Sequence, residues 1–320
     1  MNDARIPAEV TARQHTVKAP ISCVGIGLHS GRKIALTIHP APADHGVVFW
    51  RVDEGPAHGQ KIPARFDFVA DTRLCTVLAD PAHPAARVGT VEHLMASFAG
   101  LGVDNALVEI DGPELPILDG SAVSLVFLLD CAGLRAQAAP RRAIEILRPV
   151  RVTDGDAFAE LLPNSHNRET GFTLSLAIDF PAAAIGRQSY SLRLTPQKFR
   201  RDLAPARTFA LLQDVDALRQ AGLALGGSLE NAIVVDGERV LNPGGLRMPD
   251  EFVRHKLLDV VGDLALAGAP IRGRFVGHRT GHALNNRLLR ALLAENSAWR
   301  HAAAAPIAGS EAPPLEAAAA

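Results

Sequence analysis

No two cysteines in this chain stand as a C-x-x-C pair, and the three present, Cys23, Cys75 and Cys131, are widely scattered and odd in number. That argues against a disulfide framework and against a thiolate metal site, and a reducing cytoplasm is the expected setting. No run of ~18 apolar residues occurs, so no membrane-spanning helix is expected. The first twenty residues mix Asp3, Arg5, Glu9, Arg13 and Lys18 without an apolar core of signal-peptide length, so export is not expected either. An excess of one charge is missing too: 33 Lys and Arg against 34 Asp and Glu leave a formal charge of -1. No global field draws such a chain to nucleic acid or to anionic lipid, and a ligand has to be recognised locally.

What is present is ample apolar material, 48% of 320 residues, enough for two domains with a core each. Residues 1–15 and the Ala/Pro-rich residues 302–320 are poor in large apolar side chains, and read as a flexible extension and a disordered tail. An Ala/Arg-rich stretch near the middle reads as a linker at 137–142 between domain I (16–136) and domain II (143–301).

Residues 34–38, 106–110, 144–147, 172–178 and 273–277 alternate or are β-rich and read as strands. Val91, Leu94, Met95 and Phe98 fall at helical spacing, with Thr90 as N-cap and Gly100 as the end. A second helix is expected over 122–129 with Ser121 as its cap, and others over 251–267 and 284–293. Each half then reads strands, helix, strand, helix, the pattern of an α+β chain with an old internal duplication. The stretch 223–235, glycines flanked by apolar residues, has no counterpart in the first half; it reads as an inserted β element or as an ordinary core hairpin.

His255 and Asp259 stand four apart, which places both on one face of a helix whose other face carries Val253, Leu257, Val260, Val261 and Leu264. Alone, such a pair reads more readily as a solvated face. Three observations favour a metal site. Imidazole and carboxylate suit zinc. Asp263, one turn on, is placed to orient an imidazole. Glu92-His93 opens another helix, where the dipole is expected to lower the glutamate pKa and keep it ionised as a base beside a third ligand. His282 follows a glycine in a turn before the last helix, and Arg207-Thr-Phe209 joins a hydroxyl donor to an aromatic wall.

Together, Gly25-Ile-Gly-Leu-His-Ser-Gly31, Val91-Glu-His-Leu, Gly102-Val-Asp-Asn105, Leu118-Asp-Gly-Ser121, Arg207-Thr-Phe209, Leu225-Gly-Gly-Ser-Leu-Glu-Asn-Ala-Ile-Val-Val235, His255-Lys-Leu-Leu-Asp259 and Gly281-His-Ala-Leu-Asn-Asn286 resemble the UDP-3-O-acyl-N-acetylglucosamine deacetylases, zinc enzymes of lipid A synthesis. The resemblance runs from about residue 16 to 300. It implies two related domains, each a β sheet layered with two helices, the helices meeting around the active site. It implies His93, His255 and Asp259 as zinc ligands with water completing the site, and Glu92 as base. Zinc and Thr208 would hold the oxyanion, and His282, oriented by Asp263, would be the acid that protonates the leaving amine or would stabilise the oxyanion, a proton transfer that Glu92 could share.

The same resemblance makes a UDP-linked acylated amino sugar the substrate. Its acyl chain is expected in a passage built from an inserted element at about 207–240, including Val215, Ala224, Ser228 and Val234, with Leu74 and Phe209 at the mouth. Lys256 and Arg279 are expected to meet the sugar or diphosphate. A monomer is expected. His83 and His166 read as surface histidines. A scaffold with structural zinc would need a fourth protein ligand, and a phosphate transferase a G-x-x-x-x-G-K-[ST] loop; the sequence offers neither.

Overall fold

Strict alternation makes the strands of the first half. In β3 (Lys33–Pro40), Ile34, Leu36 and Ile38 are buried while Ala35 and Thr37 face outward, the period-2 pattern of a half-buried strand. The computed structural model describes residues 12–304 apart from 54, 56–57 and 166–170. Within it β2 (Ile21–Ile26), β3, β4 (Val47–Arg51), β5 (Lys61–Pro63) and β9 (Ala106–Ile110) form one sheet. Its order is β2-β3-β9-β4-β5, with β9 antiparallel to β3 and parallel to β4.

Between β5 and β9 the chain builds a three-stranded sheet, β6 (Val69–Asp71), β7 (Val77–Asp80) and β8 (His83–Val88), and then α1 (Glu92–Leu101). Thr90 is not the N-cap expected of it. Val91 holds that position without a side-chain bond, while Thr90 sits at φ 55° and its hydroxyl donates to Glu114. The helix closes at Gly102, whose φ of 82° is the left-handed turn that favours glycine. Helix α2 (Val123–Ala132) follows β9, with the Ser121 hydroxyl accepting from the Val123 N–H.

The second half repeats this layout. β12 (Val150–Asp154), β13 (Ala157–Leu162), β14 (Phe172–Asp179), β15 (Arg187–Arg193) and β19 (Ile271–His278) run β12-β13-β19-β14-β15, with β19 antiparallel to β13 and parallel to β14. As in the first unit, a helix precedes the central strand and another follows it: α5 (Glu251–Ala265) and α6 (His282–Ala294). The duplication expected from sequence is therefore present in the topology. β11 (Arg142–Ile146) and β20 (Trp299–Ala303) extend the second sheet beside β19.

Ahead of α5 come α3 (Pro196–Lys198), continued as a π turn through Leu203, then β16 (Phe209–Leu211), α4 (Leu212–Gln220), β17 (Ile233–Asp236) and β18 (Arg239–Val240). β16 and β17 are parallel with α4 as their crossover, since parallel neighbours cannot be joined by a tight turn. The inserted β element thus contains a helix. It also has a counterpart: β6 to β8 occupy the corresponding place before α1, a small sheet that short, irregular strands concealed.

The expected linker 137–142 is not a loop. Gln137 lies in β10 (Leu134–Pro140), which pairs with β1 (Arg13–Val17), and Arg142 begins β11. β10 is mostly exposed, so its sequence shows little apolar alternation; β1 supplies the hydrogen bonds that make it a strand. For the same reason Arg13 to His15 are not a free extension, and Ala302 and Ala303 are strand rather than tail. Residues 1–11 and 305–320, and His166, lie outside the described residues. His83 is exposed in β8 and pairs with Asp80.

One continuous apolar core runs through both units. At its centre α1 lies across α5. A Cβ built on Gly262 would sit 2.0 Å from the carbonyl oxygen of Glu92, so the helices meet backbone to backbone and only glycine fits the crossing. This contact buries the polar side of α5 as well as the apolar one: His255, Asp259 and Asp263 are each 3% exposed. A solvated face is ruled out.

Candidate active site

The helix crossing brings the three expected ligands together. Asp259 Oδ1 lies 3.7 Å from His93 Nε2 and 3.5 Å from His255 Nε2, and the three donor atoms all fall within 4.8 Å of one another. Metal bonds of ~2.0–2.2 Å in a tetrahedral site separate ligands by roughly 3.3–3.6 Å, so the set fits one small dication. The chemistry of the donors fits too. Burial holds the His93 imidazole down to about 3 and lowers that of His255, so both rings are neutral. Burial opposes charge on Asp259, but the Lys256 ammonium, which donates to Asp259 Oδ2 at 2.7 Å, and the charged His282 imidazole hold its carboxyl well below the usual range.

The His255 ring is aimed by a second contact. His255 Nδ1 donates to the Ala206 carbonyl at 3.1 Å, leaving Nε2 for the centre. Segment 206–209 is itself fixed to the start of α5: the fully buried Glu251 carboxylate accepts from Arg207 N, Nε and Nη2. Thr208 N–H then donates to Gly120 O and its carbonyl accepts from Ile233 N–H, both at 2.8 Å, which sets Thr208 and Phe209 on the wall beside His255.

A cleft of about 220 Å³ opens over this centre. Of the expected site residues, Glu92, His93, His255, Lys256, Asp259, His282, Thr208, Phe209 and Leu74 line it. Asp263 is brought in behind His282, accepting from its Nδ1 at 2.8 Å. Val215, Ala224, Ser228 and Val234 lie on the insert without lining the cleft, and Arg279 is exposed just beyond β19. The insert is nonetheless tied to this wall, because Leu225 N–H and Gly226 N–H donate to the carbonyls of His29 and Leu28, and Leu28 lines the cleft.

The expectation that the helix dipole keeps Glu92 acidic is overturned. Burial dominates and pushes its carboxyl up to about 7; His282 opposes the rise, and Asp259 and Asp263 add to it. For His282 burial works the other way, yet the Asp263 charge and hydrogen bond prevail and push the imidazole up to about 9. Between about 7 and about 9 the Glu92 carboxylate is therefore ionised while the His282 imidazole is still protonated, the pairing that acid–base catalysis uses.

Sequence reasoning missed several groups. Leu28, Thr90, Ile117, Phe180 and Cys75 also line the cleft. Burial, with Glu92 adding to it, pushes the Cys75 thiol up to about 12, and Cys75 is not among the three clustered ligands. Thr76 N–H donates to Glu92 Oε2 and its hydroxyl to Asp263 Oδ1, while Asn285 Nδ2 donates to Asp263 Oδ2. Leu28 and Asn285 stand inside the quoted motifs; Thr76 carries no local signal.

A three-ligand cluster beside a buried carboxylate and a carboxylate-held imidazole is the equipment of a metal-assisted hydrolase. The comparisons specify which. A model of the LpxC family, UDP-3-O-acyl N-acetylglycosamine deacetylase, matches residues 14–294, and the chain belongs to that family. It is similar to the UDP-3-O-acyl-N-acetylglucosamine deacetylases of Shewanella sp. (strain ANA-3), Shewanella baltica (strain OS155 / ATCC BAA-1091) and Shewanella frigidimarina (strain NCIMB 400). With each it shares 49% identity over 288 residues, 89% of this chain and 91% of the relative.

Proposed function

We propose that the chain is a zinc-dependent amidohydrolase that removes the N-acetyl group of UDP-3-O-(3-hydroxyacyl)-N-acetylglucosamine, giving the free 2-amine and acetate in lipid A biosynthesis. The observation that carries the metal part of this reading is the convergence of His93, His255 and Asp259 beside Glu92 at the crossing of α1 and α5. The family membership carries the substrate.

His93 and His255, through Nε2, and Asp259 would hold the zinc. When bound, zinc supplies Lewis acidity, which polarises the acetamide carbonyl and brings a water's pKa toward neutrality. Glu92 takes the proton of the attacking water; one of its oxygens is fixed by Thr76 N–H, and the residue lines the cleft. The Thr208 hydroxyl donates to the oxygen on which charge develops. As the C–N bond breaks, His282, charged and held through Nδ1 by Asp263, gives its Nε2 proton to the departing amine.

Lys256 keeps two ammonium hydrogens beyond the one given to Asp259, and these serve the sugar or diphosphate. Leu28, Leu74 and Phe209 start an apolar path toward the insert, along which the acyl chain runs past Val234, Ala224, Ser228 and Val215. No described helix is long and apolar enough to cross a membrane. A cytoplasmic setting agrees with a nucleotide-linked substrate and with three free thiols.

The test is to measure bound zinc and acetate release from the acylated UDP-sugar for wild type and His255→Ala. One zinc per wild-type chain, with loss of both metal and turnover in the variant, is expected. A His255→Ala protein that binds zinc at wild-type affinity and turns over would overturn the ligand set.

A further inference from the structure

We propose that Thr76 is a positioning residue that sets the base and the acid at a fixed separation across the two halves of the chain. The inference rests on Glu92 as base and the His282–Asp263 pair as acid.

Thr76 is 2% exposed and stands immediately before β7. Its backbone brackets the start of α1. The carbonyl accepts from Val91 N–H at 3.5 Å, and the N–H donates to Glu92 Oε2 at 3.0 Å. Its side chain points the other way, across the interface: Oγ1 donates to Asp263 Oδ1 at 2.6 Å, a contact 187 residues distant in sequence. Asp263 Oδ2 accepts from His282 Nδ1 and from Asn285 Nδ2, and Asn285 is held in turn by the Thr280 hydroxyl.

One residue therefore holds an oxygen of each carboxylate, with a backbone donor for the base and a side-chain donor for the carboxylate behind the acid. Threonine suits this task because branching at Cβ leaves χ1 few choices, so the distance from its N–H to its hydroxyl is stiff. Deacetylation needs such stiffness. The proton taken from water and the proton given to the amine belong to opposite sides of the same carbon, and errors near 1 Å in such groups cost about 100-fold. Both bonds are buried, so no water replaces the hydroxyl when it is removed.

Thr76→Val keeps the backbone donor and the volume but removes the Asp263 contact; Thr76→Ser keeps both. The expected result for Thr76→Val is a fall in kcat of about 10- to 100-fold with KM within about twofold and full zinc content. Thr76→Ser should restore most of the rate. The decisive measurement is the double-mutant cycle with Asp263→Asn: since Thr76 acts through Asp263, adding Thr76→Val to Asp263→Asn should lower kcat by less than about twofold further. Additive losses, or a Thr76→Val enzyme as fast as wild type, would overturn the proposal. If the valine variant does not fold, Thr76→Ala enters the same cycle with the same criteria. Glu92→Gln measured alongside separates the two levels of argument: an active Glu92→Gln enzyme refutes the catalytic reading itself, whereas an inactive one with additive Thr76 losses refutes only the role of Thr76.

Discussion

The two halves share one strand order and one placing of helices, yet they give the cleft different things. From the first half, α1 contributes its opening turn, Glu92 and His93. From the second, α5 contributes one side of its length, His255, Asp259 and Asp263, and α6 adds His282 at its first position. α2, which holds in the first half the place α6 holds in the second, puts no side chain into the cleft. The asymmetry follows from the crossing. The first turn of α1 meets the side of α5 at Gly262, in its last turn, so one helix presents its first turn and the other its flank. A duplicated scaffold becomes an asymmetric site by where two equivalent helices touch, without any change of topology.

The sharpest way to test this division is to remove the contribution of the first half without disturbing the metal. Glu92→Gln preserves shape and an acceptor for Thr76 N–H, so zinc content should remain at the wild-type level while kcat falls by about 10²- to 10⁴-fold. An enzyme that lost its zinc would show that the halves are not separable in this way.

Next in size is the fit of the halves themselves. Gly262→Ala forces a methyl against the Glu92 carbonyl and should destabilise the fold by about 1–3 kcal/mol in urea titration. Gly244→Ala, where nothing lies within 4 Å of the new Cβ, should change stability by less than about 0.5 kcal/mol. Equal effects at the two positions would remove the crossing as the organising contact.

The smallest effect is a change in the shape of the pH profile. The base works deprotonated, so the rate should fall as pH drops through the Glu92 pKa, about 7 in the free site and lower once a dication is bound. The acid works protonated, so the rate should fall as pH rises through about 9, the value to which Asp263 pushes His282 against its burial. Each limb belongs to one half. Asp263→Asn should bring the alkaline limb down toward 6.5, the ordinary histidine value, and move the acidic limb down by less, because the Asp263 charge is only a minor contributor to the rise of Glu92; an alkaline limb that stayed near 9 would mean that Asp263 does not hold the His282 charge.

What could be read from sequence was what local periodicity encodes. His255, Asp259 and Asp263 share a face because they follow one another at steps of four, and the strands of both sheets show their alternation. The burial of that face could not be read, because it depends on a glycine meeting a carbonyl from a residue 170 positions earlier. Thr76 stayed hidden for a related reason: one of its two contacts uses a backbone N–H, which every residue but proline carries, and the other reaches a partner in the opposite half. β10 looked like a linker because its partner strand, rather than its own pattern, makes it a strand. The rise in the Glu92 pKa was missed because a helix dipole is visible in sequence and desolvation is not.

The raised thiol of Cys75 bears on how the centre keeps its reactivity. A sulfur held so far from ionising is almost entirely thiol at neutral pH. It is therefore a poor competitor for a soft metal and a slow target for peroxide or alkylating agents. A fourth protein donor would turn an open coordination sphere into a closed one, and the same burial that makes Glu92 basic keeps this neighbour inert. A thiol can thus line the cleft and remain protonated beside the clustered ligands.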